Sequence, residues 1–169
     1  MNPRVTALLD QAHAAAAHGA RLFADLADRA NAPIRWITGP EDMSDTIRAI
    51  VLRFTSRAAK GQITLCPHLN ELSPAPVFWL AWAPGRIRCI PCTEAASRRI
   101  KGTTEDRRCD YCRRIARLIH PEGMQLPAIV VDLPGLFAAS GPVTIMFGLC
   151  PACHALAMPP SVCADLPAG

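Results

Sequence analysis

The sequence predicts an α+β protein, with an N-terminal helical pair followed by a region of short β-hairpins and helices. Apolar residues recur at three- and four-residue steps through the first third of the chain, which indicates amphipathic helices. From Gln62 onward, short apolar runs alternate with prolines, glycines and cysteines, which is typical of short strands and turns. We therefore divide the chain into a helical region over residues 1–61, a cysteine-containing module over 62–158 and a proline-rich tail over 159–169.

The helical region contains two predicted helices. The first covers residues 3–30, where an alanine-rich stretch favours helix and permits close packing; it either packs on the rest of the chain or serves as a hairpin or dimer arm. A short strand is expected over residues 34–38. Ser44 suits the N-cap of a second helix that ends near Lys60, because Gly61 can adopt the backbone conformation that closes a helix.

The first half of the cysteine-containing module predicts a β-hairpin and a helix. Residues 76–82 and 86–90 are strand-like and flank an Ala-Pro-Gly turn, and residues 93–101 have a helical pattern. Alternation along the first strand places Trp79 on one face and Trp82 on the other. One face is expected to pack on the following helix and the other on the N-terminal helices, whereas an exposed face would be a binding patch.

The second half of the module predicts the same order of elements with one addition. A helix-like stretch is expected over residues 113–119, where Pro121 then breaks it. Apolar runs over residues 128–132 and 143–147 predict a second hairpin, which a short helix over residues 154–157 follows.

Four short clusters of cysteine and histidine supply the candidate chemistry. Two C-x-x-C pairs, starting at Cys89 and Cys109, have sixteen residues between them, which is the spacing of a four-thiolate zinc site. A Cys-x-His pair lies upstream and another C-x-x-C pair lies downstream. The eight candidate ligands are Cys66, His68, Cys89, Cys92, Cys109, Cys112, Cys150 and Cys153.

Eight ligands predict two zinc ions as cofactors, each in a tetrahedral site of four side chains. Iron–sulfur ligation and disulfides are the alternatives, but C-x-x-C pairs in a cytosolic chain favour metal binding. Four protein ligands leave no open position for water, which is the property of a structural zinc site. No catalytic residue is therefore assigned.

The pairing of the clusters has more than one solution. Spacing alone favours a nested arrangement, in which the two middle pairs share one metal and the two outer pairs share the other. The order of a ligand pair, a hairpin, a second ligand pair and a helix occurs twice over residues 66–157 and resembles the treble-clef, zinc-ribbon-like class of zinc finger. The resemblance names a class and no single family, and it departs from the usual pattern at Cys66-x-His68, where one residue separates the ligands instead of two.

The resemblance implies sequential pairing. One site would then use Cys66, His68, Cys89 and Cys92, and the other Cys109, Cys112, Cys150 and Cys153. A crossed pairing is the third arrangement, and all three use the same eight side chains.

Residues 98–117 form the main charge feature, with eight basic residues against three acids. The basic residues are Arg98, Arg99, Lys101, Arg107, Arg108, Arg113, Arg114 and Arg117. Arginines beside metal clusters suit phosphate contacts, and Tyr111 could stack on a base. The same arginines could instead donate to thiolates, offset helix dipoles or meet an acidic protein surface. The formal charge of +4 does not favour nucleic acid by itself, because zinc-bound thiolates would cancel most of it.

These features predict a zinc-binding protein that contacts nucleic acid through residues 98–117 in a regulatory or nucleic-acid-handling role. The alternative is a protein-interaction adaptor that uses the N-terminal helices or the strand of Trp79 and Trp82. An enzyme is the least favoured class, because no P-loop or dinucleotide-binding glycine pattern is present.

The remaining expectations concern three side chains and the compartment. His120 is expected at the surface end of a helix, His154 on a helix beside a zinc site, and Cys163 as a free thiol in the tail. Residues 1–20 lack the apolar core of a signal peptide, and no window reaches the roughly 18–20 apolar residues of a membrane span. A cytoplasmic protein without a membrane partner is therefore expected.

Overall fold

The computed structural model describes most of the cysteine-containing module and the second predicted helix. The described residues are 35–37, 39–69, 76–126 and 143–157, together with seven separate positions between residues 10 and 25. The rest of the predicted helix over 3–30, the predicted strand over 128–132 and the tail with Cys163 lie outside the described residues.

A mixed six-stranded sheet organises the described residues, in the order β1-β5-β6-β3-β4-β2. The strands are β1 Arg35–Ile37, β2 Thr64–Leu65, β3 Val77–Leu80, β4 Arg86–Arg88, β5 His120–Leu126 and β6 Val143–Leu149. The two longest strands, β5 and β6, are antiparallel over seven residue pairs. Strand β3 runs parallel to β6 and antiparallel to β4, so the predicted first hairpin is present at one side of this sheet.

Three α-helices have complete bounds within the described part of residues 39–157. They are α1 Asp45–Ala59, α2 Ile90–Ile100 and α3 Pro151–Ala157. Helix α1 confirms the second predicted helix, because Ser44 Oγ accepts the N–H of Ile47 at 3.4 Å and Gly61 closes the helix with φ +64°.

Helices α2 and α3 each begin three residues earlier than predicted. Both contain a proline in the first turn, Pro91 and Pro151, and each proline lies before the predicted start of its helix. Proline is compatible with that position because the first N–H groups of a helix have no intrahelical partner. The consequence is that a cysteine stands directly before each helix.

Helix α1 covers one face of the sheet and supplies much of its core. Ile47, Ile50 and Phe54 are fully buried, and the Phe54 ring meets the Trp79 ring edge-on with 5.2 Å between centroids. The indole N–H of Trp79 donates to the Pro84 carbonyl at 2.9 Å. Helix α3 lies beside α1, and α2 contacts β3 and β4.

Strand β3 is buried along its whole length, as expected for a strand packed on both faces. Val77 and Trp79 belong to the core that α1 covers, and Phe78 and Leu80 alternate with them on the opposite side. Trp79 is therefore closed to partners, and only Trp82, which is half-buried, remains from the predicted tryptophan patch.

The predicted helix over residues 113–119 is wrong. Arg113 has φ 64°, in the left-handed region, which ends any right-handed helix there. The N–H of Cys109 donates to the carbonyl of Arg114 at 2.8 Å, so the chain folds back on itself in a tight loop. After this loop the chain enters β5 in extended conformation.

The second hairpin uses a different partner strand from the predicted one. Strand β6 confirms the apolar run over 143–147, and it pairs with β5 on one side and with β3 on the other. Strand β5 tolerates Pro121 because Gly148, the residue opposite, forms its hydrogen bonds with Asp110. The N–H of Gly148 donates to the Asp110 carboxylate, and the carbonyl of Gly148 accepts the N–H of Asp110, at 2.8 Å each. The proline therefore leaves no ladder hydrogen bond unmade.

The described parts of the helical region and of the cysteine-containing module meet in one core. Strand β1 pairs in parallel with β5, and the core cluster combines α1 residues with residues of β3, β5 and β6. The boundary at residue 61 stays a prediction. No helix among the described residues combines the length and the apolar character that crossing a membrane requires.

Replacement of Phe54 by alanine should destabilise the fold strongly. Phe54 is fully buried against Trp79, so Phe54→Ala should lower the free energy of unfolding by about 3–5 kcal/mol. Leu52→Ala, at an exposed position of the same helix, should change it by less than about 0.5 kcal/mol. Urea denaturation measures both, and equal losses in the two variants would contradict the packing described here.

Candidate metal centre

The first group of predicted ligands, cluster A, comprises Cys66, His68, Cys89 and Cys92. Their ligand atoms all lie within 4.8 Å of one another, so the group could hold a metal ion. Cys66 directly follows β2, Cys89 is the N-cap of α2 and Cys92 lies in the first turn of that helix. Nδ1 of His68 is 3.2 Å from Sγ of Cys92 and 3.9 Å from Sγ of Cys89.

The electrostatics of cluster A favour one thiolate and oppose the next. Burial raises the pKa of Cys66, but hydrogen bonds from the backbone N–H groups of Cys89 and His68 outweigh burial and hold it below its usual value. Burial and the neighbouring thiols raise the pKa of Cys89 to about 11. A cation among these side chains would remove that opposition, because it stabilises every thiolate bound to it.

The second group, cluster B, comprises Cys109, Cys112, Cys150 and Cys153. Its four sulfurs also lie within 4.8 Å of one another and could hold a metal ion. The Sγ atoms of Cys112 and Cys150 are 3.8 Å apart. Burial raises the pKa of Cys109, but N–H groups of Cys150, Cys112 and Tyr111 lower it to about 7, while burial raises the pKa of Cys153.

Both clusters are built in the same way at the start of a helix. The carbonyl of Cys89 accepts the N–H of Thr93 at 3.0 Å, and the carbonyl of Cys150 accepts the N–H of His154 at 2.8 Å. Each of these cysteines therefore stands at the point where a strand has ended and a helix begins. All eight predicted ligands fall into these two sets, and the sets correspond to the sequential pairing.

Asp110 fixes the loop that carries half of cluster B. Its carboxylate accepts the N–H of Gly148 at 2.8 Å, and Arg53 of α1 donates to its carbonyl at 2.6 Å. Burial raises the pKa of Asp110 to about 6, although the hydrogen bond from Gly148 and the charges of Arg113 and Arg53 oppose that rise. No sequence pattern marks Arg53, and the only signal for the role of Asp110 is its position inside a C-x-x-C turn.

His120 and His154 form a second polar group beside cluster B. Nδ1 of His154, on α3, lies 2.7 Å from a carboxylate oxygen of Glu122, which is fully buried in β5. The rings of His120 and His154 stack with centroids 4.2 Å apart. The surface helix end predicted for His120 is wrong, since the residue begins β5, where burial and His154 lower its pKa. No sequence pattern marked Glu122.

Three of the eight predicted basic residues are engaged within the protein. Arg98 lies 3.5 Å from Glu94 on α2. Arg108 and Arg113 both contact Glu105, at 2.8 Å and 3.8 Å. The other five are exposed and form no ion pair with the described residues, namely Arg99, Lys101, Arg107, Arg114 and Arg117.

Comparison of the chain with protein-family models, with curated proteins and with solved structures finds no significant match. The proposals below therefore depend on the geometry of the two clusters and of the basic residues beside them.

Paired substitutions should separate the sequential from the nested arrangement. With sequential pairing, the double variant Cys66→Ser/Cys89→Ser damages cluster A alone, so the chain should keep half of its bound metal. The matched variant Cys89→Ser/Cys109→Ser damages both clusters and should keep none. Elemental analysis of the zinc-refolded proteins measures the metal bound per chain, and the reverse pattern would establish nested pairing.

Proposed function

We propose that the protein binds two structural zinc ions and contacts nucleic acid through a basic segment that cluster B holds in place. The observation that carries this proposal is the placement of exposed arginines without carboxylate partners on the loop that supplies Cys109 and Cys112. We call residues 105–119 the basic loop. It includes Arg107, Arg114 and Arg117.

The donor sets support zinc. Cluster A offers three sulfurs and one nitrogen, and cluster B offers four sulfurs, which are the ligand sets of structural zinc sites. Cys66, Cys89 and Cys109 are buried within the folded chain, as are Cys150 and Cys153. With every tetrahedral position supplied by the protein, neither site leaves room for a water nucleophile. The chemistry of the bound ion would be to neutralise thiolates and cross-link the chain.

The order of elements supports membership of the treble-clef class. In cluster B a C-x-x-C turn precedes the β5–β6 hairpin, and α3 follows with Cys153 in its first turn. In cluster A the Cys66-x-His68 pair precedes the β3–β4 hairpin, and α2 follows with Cys92 in its first turn. In each case one ligand pair comes before a hairpin and the other comes from a helix start.

The basic loop supports contact with the sugar–phosphate backbone. Arg108 and Arg113 are used to hold the loop through Glu105, which leaves Arg107, Arg114 and Arg117 to reach outward. Exposed arginines of this kind are the usual partners of phosphate oxygens. Tyr111 lies in the same loop with 40% of its surface exposed, which would allow it to stack on a base.

A protein partner is the second candidate, favoured by apolar side chains on the same loop. Ile115 and Leu118 are 54% and 55% exposed, beside Arg114 and Arg117. Exposed apolar residues next to arginines are common at protein interfaces. The burial of Trp79 closes one of the two contact surfaces predicted for an adaptor, and most of the other, the N-terminal helix over residues 3–30, lies outside the described residues; the basic loop offers an adaptor a further surface.

Removal of zinc should destabilise the protein reversibly. Each 1 kcal/mol shifts the melting temperature of a chain of this size by about 2–4 °C, and structural zinc contributes several times that energy. A strong chelator should therefore lower the melting temperature by at least about 10 °C. Differential scanning calorimetry measures the shift. Zinc, but not magnesium, should restore the original value, and an unchanged melting temperature in fully metal-free protein would contradict a structural role.

Loss of two arginines from the basic loop should weaken the salt dependence of nucleic-acid binding. Each lost phosphate contact lowers the slope of log K against log salt concentration by about 0.7 for single strands. The variant Arg107→Ala/Arg114→Ala should therefore lower that slope by about 1.4. Fluorescence anisotropy of labelled DNA or RNA over a salt series measures it.

The matched control removes the same charge elsewhere. Lys60 and Arg86 are also exposed, near the β2–β4 edge of the sheet, so Lys60→Ala/Arg86→Ala should leave the slope close to that of the wild type. Equal slopes for the two double variants would show that the basic loop is not the contact surface. Absence of binding at low salt would favour the protein-partner candidate.

A further inference from the structure

A pocket of about 440 Å³ opens between the C-terminal end of α2 and the basic loop. This volume lies within the range of roughly 300–1,000 Å³ that small-molecule sites occupy. Its apolar walls include Trp82, Ile100 of α2, Leu118 of the basic loop and Met146 of β6. The pocket is separate from both clusters, since none of the eight cluster residues lines it.

Two arginines without ion pairs in the described part of the chain lie at the edge of the pocket, beside four hydrogen-bonded carboxylates. Arg107 and Arg117 line it and have no ion pair among the described residues. Four carboxylates also border it, and each is already held by a partner within the protein. The pairs are Glu105 with Arg108, Asp106 with the N–H of Gly102, Asp110 with the N–H of Gly148, and Glu122 with His154.

Trp82 adds an aromatic ring to the apolar walls. Its Nε1 atom is buried and has no hydrogen-bond partner among the described residues. Because this atom is inaccessible, the indole offers the pocket its ring and not its N–H, and an aromatic wall suits a planar aromatic group. Aromatic rings of this kind are the usual platforms for nucleic-acid bases.

We propose that this pocket receives one unpaired base of a single-stranded nucleic acid, while Arg107 and Arg117 hold the adjoining phosphates. The inference rests on the proposed nucleic-acid contact and specifies the form of nucleic acid that the basic loop recognises. Paired bases are stacked inside a duplex and do not reach such a pocket without being extruded. The protein should therefore prefer single strands to duplexes.

The test compares a labelled single strand with an abasic strand of equal length, which keeps every phosphate and lacks the bases. Fluorescence anisotropy with the zinc-loaded full chain should show the base-bearing strand binding roughly tenfold more tightly, which is the contribution of one stacked base. Equal affinities would overturn the inference and leave the phosphate contacts of the proposed function standing. Failure of both strands to bind would overturn the proposed function as well.

A pocket-filling variant and its matched control complete the test. Ser97 of α2 lines the pocket, so Ser97→Trp should weaken binding of the base-bearing strand roughly tenfold and leave the abasic strand unchanged. Ser56→Trp, at an exposed position of α1 away from the pocket, should leave both affinities unchanged.

A smaller substitution tests the pocket even if the Ser97→Trp variant does not fold. Leu118 is 55% exposed, so Leu118→Ala should keep the fold and lower the preference for the base-bearing strand severalfold. A preference that neither Ser97→Trp nor Leu118→Ala reduces would place the base outside this pocket and overturn the inference.

Discussion

The rest of the structure depends on one constraint: clusters A and B each bring four thiol or imidazole side chains close together. Thiolates held within 4.8 Å of one another repel, and burial further raises the pKa of Cys153, so the balance of forces in the clusters opposes a full set of negative charges. A bound cation reverses that balance, so the folded geometry and the metal stabilise each other. Cys89 and Cys150 each lie between the end of a strand and the start of a helix, so this coupling also fixes how α2 and α3 meet the sheet.

The basic loop shows how a ligand cluster determines a nearby surface. A tight turn at Cys109 and the left-handed Arg113 exclude a helix, and Asp110 extends the edge of β6 through Gly148. Arg53 of α1 donates to the backbone carbonyl of Asp110. The loop is thus held at cluster B, by the sheet and by helix α1. Such a loop can present charged side chains at little cost in conformational entropy when a ligand binds.

The parts of the fold that local sequence determines could be predicted, and the parts that depend on distant partners could not. The helix after Ser44 and the identity of the eight ligands are encoded by cap chemistry and by short cysteine motifs, which act over a few residues, whereas their division into two sets follows the order of the strands and helices and not the spacing of the cysteines. Residues 113–119 have helical composition, but the conformation of the C-x-x-C turn overrides that local preference. From the sequence alone, Pro121 should break a strand. Strand β5 tolerates it because Gly148, the residue opposite, forms its backbone hydrogen bonds with Asp110. The contact between Glu122 and His154 depends on sheet register, which the sequence alone does not reveal.

The arginines of the basic loop fall into two groups with different contacts, and these contacts connect the metal centre to the proposed activity. Arg108 and Arg113 offset the carboxylate of Glu105 and stiffen the loop, whereas Arg107 and Arg117 lie at the pocket edge without such partners. Because the loop also supplies Cys109 and Cys112, loss of the metal would release the pocket wall and the free cations together. Binding of nucleic acid would then be thermodynamically linked to binding of zinc, since each stabilises the same loop conformation. The zinc ion would thereby strengthen nucleic-acid binding without contacting the nucleic acid, because it would keep the basic loop in one conformation.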